Sequence, residues 1–110
     1  MDMLTVISSA QNTFFRGVSL TSLPTIFTAN RWGEINPEWP SEPIERFIPG
    51  PGSGTFDFFV DAIFDGDADP LLAAANTAYI QEPEHIARSV GTNLNSIGFV
   101  GYALKNITRP

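Results

Sequence analysis

The chain has 110 residues, no cysteine and a net charge of −6, with six Lys and Arg residues against twelve Asp and Glu residues. This length suffices for one small hydrophobic core, and the hydrophobic fraction of 43% argues against wholesale disorder. The absence of cysteine excludes disulfides, thiolate metal sites and cysteine nucleophiles, and the scattered basic residues argue against nucleic acid or anionic membrane surfaces as partners.

The first half of the chain predicts two short strands, one helix and one ordered loop. The β-branched run from Leu4 to Ile7 predicts an opening strand. A helix is predicted after Ser19 as N-cap, and its apolar face comprises Leu20, Leu23, Ile26 and Phe27. The segment from Asn30 to Pro43 contains three prolines and both tryptophans, which is typical of an aromatic-anchored loop rather than of a flexible linker. Ile44 to Ile48 predicts the second strand.

The second half opens with the strongest predicted element, a helix after Thr55. Its apolar residues follow the i, i+3, i+4, i+7 pattern of one buried face, and they are Phe56, Phe59, Val60, Ile63 and Phe64. Its opposite, polar face comprises Asp57, Asp61 and Asp65, and it ends at Gly66 and Asp67. The elements predicted next are a helix over Leu71–Ala78, a strand near Ala78–Ile80, a helix over Glu82–Val90 stopped by Gly91, and a strand over Ser96–Leu104. This alternation predicts a single α/β domain over residues 1–110, with a parallel or mixed sheet flanked by helices.

The glycine-rich segment Pro49–Gly54 joins the second strand to the strongest helix. Helix N-termini leave N–H groups unpaired and carry a partial positive charge, and glycines let an anion approach that backbone closely. Since the net charge of the chain is negative, such a site would depend on short-range donors such as the hydroxyls of Ser53 and Thr55. The pattern therefore indicates either an oxyanion site or an ordinary helix cap, which stabilises a helix by about 1 kcal/mol. The doubled Pro-Gly favours the ligand site, because a stiff loop aimed at a helix start suits anion binding.

Other kinds of site find little support in the sequence. The turn is neither a P-loop, because no lysine follows the glycines, nor a dinucleotide-binding GxGxxG motif. The alternating aspartates of 65–69 begin like a calcium loop, but Pro70 and Asn76 occupy its glycine and glutamate positions. His85 is the only histidine and no serine has the surroundings of a nucleophile elbow. We therefore predict no metal site, no cofactor and no catalytic residue.

Four blocks of the chain, in order, resemble the PstS-like substrate-binding proteins of bacterial ABC-type phosphate importers. These blocks are Ile26–Thr28, Trp32–Pro40, Pro49–Phe59 and Ile97–Ala103. The resemblance implies a type 2 periplasmic binding-protein fold, in which two α/β lobes close on an oxyanion, and it identifies this chain with the second lobe alone. It also implies a phosphate-binding protein without enzymatic activity, in which Ser53, Gly54 and Thr55, together with Gly52, hold phosphate.

Two departures from the family pattern concern the affinity of the site. Many members carry an arginine four residues before the serine, where this chain has Pro49. Arg46 and Arg31 are the candidate substitutes, but neither matches that position. The chain also lacks the first lobe, which in the family supplies the carboxylate that rejects sulfate. We therefore expect one lobe to bind anions weakly and to discriminate poorly between them.

The resemblance also implies a cellular context. In the full-length family the partner is the permease of an ABC transporter, and the location is periplasmic or extracellular with a membrane anchor. The N-terminus of this chain shows no signal peptide, so we expect either a cytoplasmic protein or a piece of a longer exported one. The alternative function is an interaction module that forms a homo-oligomer or binds a partner through its exposed cleft face.

Overall fold

The fold is a four-stranded mixed sheet with helices on both faces, seen in a computed structural model that describes residues 2–15 and 20–103. The strands are β1 (Asp2–Ser8), β2 (Glu45–Ile48), β3 (Thr77–Tyr79) and β4 (Ser96–Ala103). The α-helices are α1 (Leu23–Ile26), α2 (Trp32–Ile35), α3 (Gly54–Phe64), α4 (Asp69–Ala73) and α5 (Pro83–Gly91). None of these helices has the length and apolar character that crossing a membrane requires. The predicted α/β architecture with a mixed sheet is confirmed.

The strand order of the sheet is β1–β4–β2–β3. β1 runs antiparallel to β4, from Asp2 opposite Ala103 to Ser8 opposite Ile97, without interruption of the register. β2 runs parallel to both of its neighbours, β4 and β3. The carboxyl ends of β2, β3 and β4 therefore meet at one end of the sheet, and the glycine-rich turn leaves β2 at that end.

The two longest helices, α3 and α5, pack on opposite faces of the sheet, where they contact alternate side chains of β4. Ile97 and Phe99 of β4 belong to one buried cluster, which also contains Ile48 and the α3 residues Phe56, Phe59 and Val60. On the other face Val100 packs with Ile86 and Val90 of α5. Because successive strand residues point to opposite faces, α3 covers one side of the sheet and α5 the other. The apolar face predicted for α3 is confirmed, and Asp57, Asp61 and Asp65 are exposed as expected.

The tryptophan-containing loop is ordered by aromatic packing, as predicted. Trp32 is fully buried and its Nε1 donates a hydrogen bond to the carbonyl of Asn95 at 2.8 Å. The rings of Phe14, Phe15 and Trp39 surround it at centroid distances of 5.2 to 5.8 Å. The loop also contains the short helix α2, which was not predicted, since its prolines and glycine mask one helical turn.

Two predicted helices are wrong in extent. The helix over Leu71–Ala78 is only α4, which begins at Asp69 with Pro70 in its first turn. Asn76 adopts a left-handed conformation with φ of 58°, and parallel pairing with β2 then overrides the helix propensity of the alanines. The helix after Ser19 is a 3-10 turn (Leu20–Ser22) followed by α1; Ser19 itself lies outside the described residues. Gly91, predicted as a stop, is the last residue of α5.

Candidate functional site

The glycine-rich turn connects the carboxyl end of β2 to the first residue of α3. Gly52 has a φ of 95°, a left-handed conformation that strains any residue with a Cβ. The N–H of Ser53 then donates to the carbonyl of Gly50 at 3.2 Å, which closes the turn. Ser53 itself is extended and directly precedes Gly54, the first helical residue. The predicted strand–turn–helix arrangement is confirmed.

Ser53 caps α3. Its Oγ accepts a hydrogen bond from the N–H of Phe56 at 3.0 Å, and its carbonyl accepts from Asp57 at 3.1 Å. The ordinary capping role that the sequence suggested is therefore present. Within the described part of the chain, however, the N–H groups of Gly54 and Thr55 have no hydrogen-bond acceptor. Together with the hydroxyl hydrogen of Ser53, they are donors at the positive end of an 11-residue helix.

Thr55 is positioned by a glycine of the neighbouring strand. A Cβ added at Gly101 would lie 2.5 Å from Oγ1 and 2.9 Å from Cγ2 of Thr55. The threonine side chain thus sits directly on the backbone of β4, close to the carboxyl end of that strand. The absence of a side chain at Gly101 allows the first turn of α3 to approach the sheet this closely.

A cleft of about 380 Å³ lies beside the turn. One wall is the segment from Pro49 to Ser53, and the other is Tyr79, Ile80 and Gln81, which follow β3. The cleft forms because the chain leaves two adjacent parallel strands toward helices on opposite faces of the sheet, which is where α/β folds place their ligands. This second wall was not predicted from the sequence. The residues that follow β3 would have indicated this wall only if β3 had been known to pair in parallel with β2.

Neither alternative arginine lies at the turn. Arg46 is fully buried, and its guanidinium donates hydrogen bonds to the carbonyls of Ala75 at 2.7 Å, Ile26 at 3.3 Å and Ala29. Burial lowers the pKa of Arg46 to about 10, an effect opposed by Glu34, so the side chain remains a cation at neutral pH.

Arg31, like Arg46, lies near the amino end of β2. Arg31 bridges to Pro43, just before β2, and its Nη1 donates to the carbonyl of Ser41 at 3.0 Å. Both arginines therefore belong to the amino end of β2, whereas the turn follows its carboxyl end. The candidate site consists of neutral donors.

The other titratable groups that the structure describes do not form a metal site. The described residues contain no group of three or more His, Cys, Asp or Glu side chains placed to hold a metal ion. His85 lies 3.5 Å from the carboxylate of Glu82 in an exposed pair on the surface of the α5 N-terminus. Asp65 adopts a left-handed conformation with φ of 54° and ends α3. The pair of His85 and Glu82 therefore lies on the surface, and Asp65 has a structural position at the end of α3.

The chain is similar to known proteins along nearly its whole length. No protein-family model matches the chain. Protein SphX of Synechocystis sp. is 32% identical over 108 residues, which are 93% of this chain and 31% of that protein. The phosphate-binding protein PstS of Staphylococcus saprophyticus is 32% identical over 104 residues, which are 92% of this chain and 30% of that protein. The chain thus spans about a third of the length of the curated relatives it matches.

Solved structures show the same partial correspondence. A crystal structure described as that of a possible phosphate binding protein from Planctomyces limnophilus superposes with a TM-score of 0.77 and 29% identity, covering 98% of this chain and 39% of that one. A protein from Clostridium perfringens, described as a phosphate ABC transporter substrate-binding protein with bound phosphate, superposes with a TM-score of 0.71. At 22% identity over 92% of this chain and 40% of that one, the second likeness concerns the fold alone. The resemblance drawn from the four sequence blocks, and the lobe fold it implied, are confirmed.

Proposed function

We propose that this chain is a non-enzymatic lobe that binds an oxyanion, with inorganic phosphate as the favoured ligand. Nearly its whole length is similar to a segment that makes up about a third of the length of each PstS-type relative. The observation that carries the proposal is the pair of unpaired N–H groups of Gly54 and Thr55 beside the Ser53 hydroxyl. Residues 1–110 would correspond to the second lobe of those proteins. Their permease partner and their periplasmic or extracellular location would apply to this lobe as part of a whole receptor.

The geometry suits an anion better than a neutral ligand. The unpaired backbone groups at the start of α3 are donors, and the helix dipole adds a partial positive charge there, beside the exposed carboxylate of Asp57 in the first turn. A Cβ placed at Gly54 would meet no atom within 4 Å, so the backbone is open to close approach. Gly52 supplies the left-handed turn that brings Ser53 to the cap position. Ser53, Gly54 and Thr55 would bind the anion directly, and Gly52 would shape the turn.

The donors of this lobe offer no basis for separating phosphate from sulfate. Such discrimination requires an acceptor that only a protonated oxyanion satisfies, and an unpaired buried acceptor costs about 1–3 kcal/mol. The N–H and O–H groups at residues 53–55 stabilise either anion. We expect the isolated chain to bind both with similar, weak affinity, measured by titration calorimetry. If neither anion produces heat at millimolar concentration, ligand capture by the isolated chain is wrong, and the interaction module becomes the better function.

Substitutions at Ser53 separate anion binding from helix capping. Ser53→Ala removes one donor and the cap, and we expect about tenfold weaker phosphate binding and a loss of about 1 kcal/mol in the free energy of unfolding. Ser53→Asp keeps a good cap, so stability is retained, but its carboxylate repels the anion and should abolish binding. Ser41→Ala, at an exposed serine of the tryptophan loop, is the matched control. Unchanged phosphate affinity in both Ser53 variants would remove the turn from the site.

The contact between Gly101 and Thr55 allows a test from outside the turn. Gly101→Ala places a methyl group against the Thr55 side chain, whose β-branched χ1 has few alternatives on a helix. We expect displacement of the first turn of α3 and about tenfold weaker phosphate binding in a protein that still folds. Calorimetry and urea unfolding of the same sample measure the two effects. Wild-type affinity in this variant would show that the hydroxyl position is unimportant.

A further inference from the structure

The cleft between the glycine-rich turn and the end of β3 has more room than inorganic phosphate fills. Its volume of about 380 Å³ corresponds to about a dozen water molecules at a share of about 30 Å³ each. A tetrahedral phosphate ion fills only a small part of that space. The volume instead falls within the range of clefts that hold small organic molecules, roughly 300–1,000 Å³. An anion at the start of α3 would therefore leave most of the cleft to another part of its own molecule.

The polar groups of the cleft are concentrated at one end. Ser53 belongs to the lining and connects the cleft to the donors at the start of α3. Beyond Ser53 the lining consists of two prolines, two glycines, Tyr79, Ile80 and Gln81, so no charged residue lines the cleft. A second anionic group on a ligand would thus find no cation beside it. The ligand that matches this lining is anionic at one end and uncharged and largely apolar at the other.

Tyr79 is a fixed aromatic element of the second wall. It is the last residue of β3 and lies opposite Ile48 of β2 in the parallel register. The N–H of Ile80 donates to the carbonyl of Ile48 at 2.8 Å, which continues the pairing past the end of the strand. A Cβ added at Gly50 would lie 3.5 Å from the Cβ of Tyr79, so the two walls approach each other closely at this point. Tyr79 is nevertheless 44% exposed, and its ring offers apolar surface on a backbone that is already ordered.

We propose that the cleft binds a phosphate monoester with a small aromatic or aliphatic group, with the phosphate at the start of α3 and the group between the glycine-rich turn and Tyr79. This inference rests on the proposed function and refines its ligand, because inorganic phosphate would occupy the donor end alone. Both walls consist of described residues, so the affinity gained from the organic group is a property of this chain by itself. Pyrophosphate should gain nothing over inorganic phosphate, since the lining carries no charge for its second phosphoryl group.

Titration calorimetry with inorganic phosphate, methyl phosphate and phenyl phosphate tests the proposal. We expect phenyl phosphate to bind about tenfold more tightly than methyl phosphate, which has the same phosphate group and no ring. Tyr79→Ala should bring the two esters to equal affinity, and an unchanged affinity for inorganic phosphate will show that this variant is folded. Tyr79→Phe should retain the preference, because the ring rather than the hydroxyl provides it. Phe58→Ala, at a similarly exposed aromatic residue of α3 that does not line the cleft, is the control and should also retain it.

Several outcomes would overturn the proposal. Equal affinity of the wild-type chain for the two esters would show that the second wall does not contact the ligand. A preference that persists in Tyr79→Ala would place the ring elsewhere, and binding of phenyl phosphate to Ser53→Asp would mean that the ring binds without the anion site. Inorganic phosphate distinguishes these failures from failure of the anion site. If it binds while phenyl phosphate shows no advantage, only the organic group is wrong, and if none of the probes binds, the anion site is wrong as well.

Discussion

Gly98→Ala is expected to destabilise the chain by about 3 kcal/mol or more, a large part of the stability of a small domain. Gly98 lies in β4, and a Cβ there would overlap the carbonyl oxygen of Phe47 in the adjacent strand. The same atom would lie 3.1 Å from Val90 Cγ2 and 3.3 Å from Ile86 Cγ2, both on α5. Side chains can adjust by rotation, but the Phe47 carbonyl is held in the parallel pairing of β2 with β4. The substitution must therefore separate two central strands or displace α5.

Urea unfolding followed by circular dichroism measures this effect. Gly91→Ala is the matched control, because a Cβ at this last residue of α5 meets nothing within 4 Å. We expect the control to be neutral or slightly stabilising, since alanine favours helix over glycine by up to about 1 kcal/mol. A Gly98→Ala chain with the unfolding midpoint of the wild type would show that β2 and α5 do not approach Gly98 as closely as described.

The parts of the fold with strong periodicity were predictable from sequence. The spacing of Phe56, Phe59 and Val60 predicts both the helix and its buried face, and the structure confirms both. Shorter elements depend on tertiary contacts that no local pattern encodes. The strand β3 was predicted near Ala78–Ile80, but its start at Thr77, inside the predicted helix, depends on parallel pairing with β2. The turn of α2 is likewise stabilised by burial of Trp32 rather than by helix propensity.

The candidate site was half predictable for a related reason. Ser53 and Thr55 follow a glycine-rich turn, which is a local signal that the sequence displays directly. The second wall of the cleft at Tyr79, and the contact of Gly101 with Thr55, depend on strand order. Strand order results from long-range packing, which no local pattern in the sequence reveals.

The position of Arg46 shows how a pattern can carry more information than a residue type. Arginine is usually exposed, and Arg46 was a candidate substitute for the arginine that Pro49 replaces. In a strand, however, residues two apart share a face, and Arg46 lies between Ile44 and Ile48. Those two isoleucines are fully buried, and so is Arg46. Strand alternation alone would have assigned the guanidinium to the interior.

Arg46→Met is therefore expected to reduce stability without weakening the site. The change leaves the carbonyls of Ile26, Ala29 and Ala75 without their donor, and hydrogen bonds to a charged group contribute about 1.5–3 kcal/mol each. Removing a desolvated charge offsets part of this loss, so we expect a net decrease of about 3 kcal/mol in the free energy of unfolding. Arg46→Lys should lose a comparable amount, because one ammonium cannot replace a planar fork that reaches two separate segments.

The phosphate affinity of the folded variant distinguishes a structural arginine from a ligand-binding one. Titration calorimetry at a temperature where Arg46→Met is fully folded should give the wild-type affinity, because the guanidinium is bound at the amino end of β2, away from the turn. Arg31→Met, at an exposed arginine near the amino end of β2, is the control. It should change the free energy of unfolding by no more than about 1 kcal/mol and leave the phosphate affinity unchanged. A tenfold loss of phosphate affinity confined to Arg46→Met would instead mean that this cation reaches the anion. Neutral donors at the start of α3 would then be only part of the site.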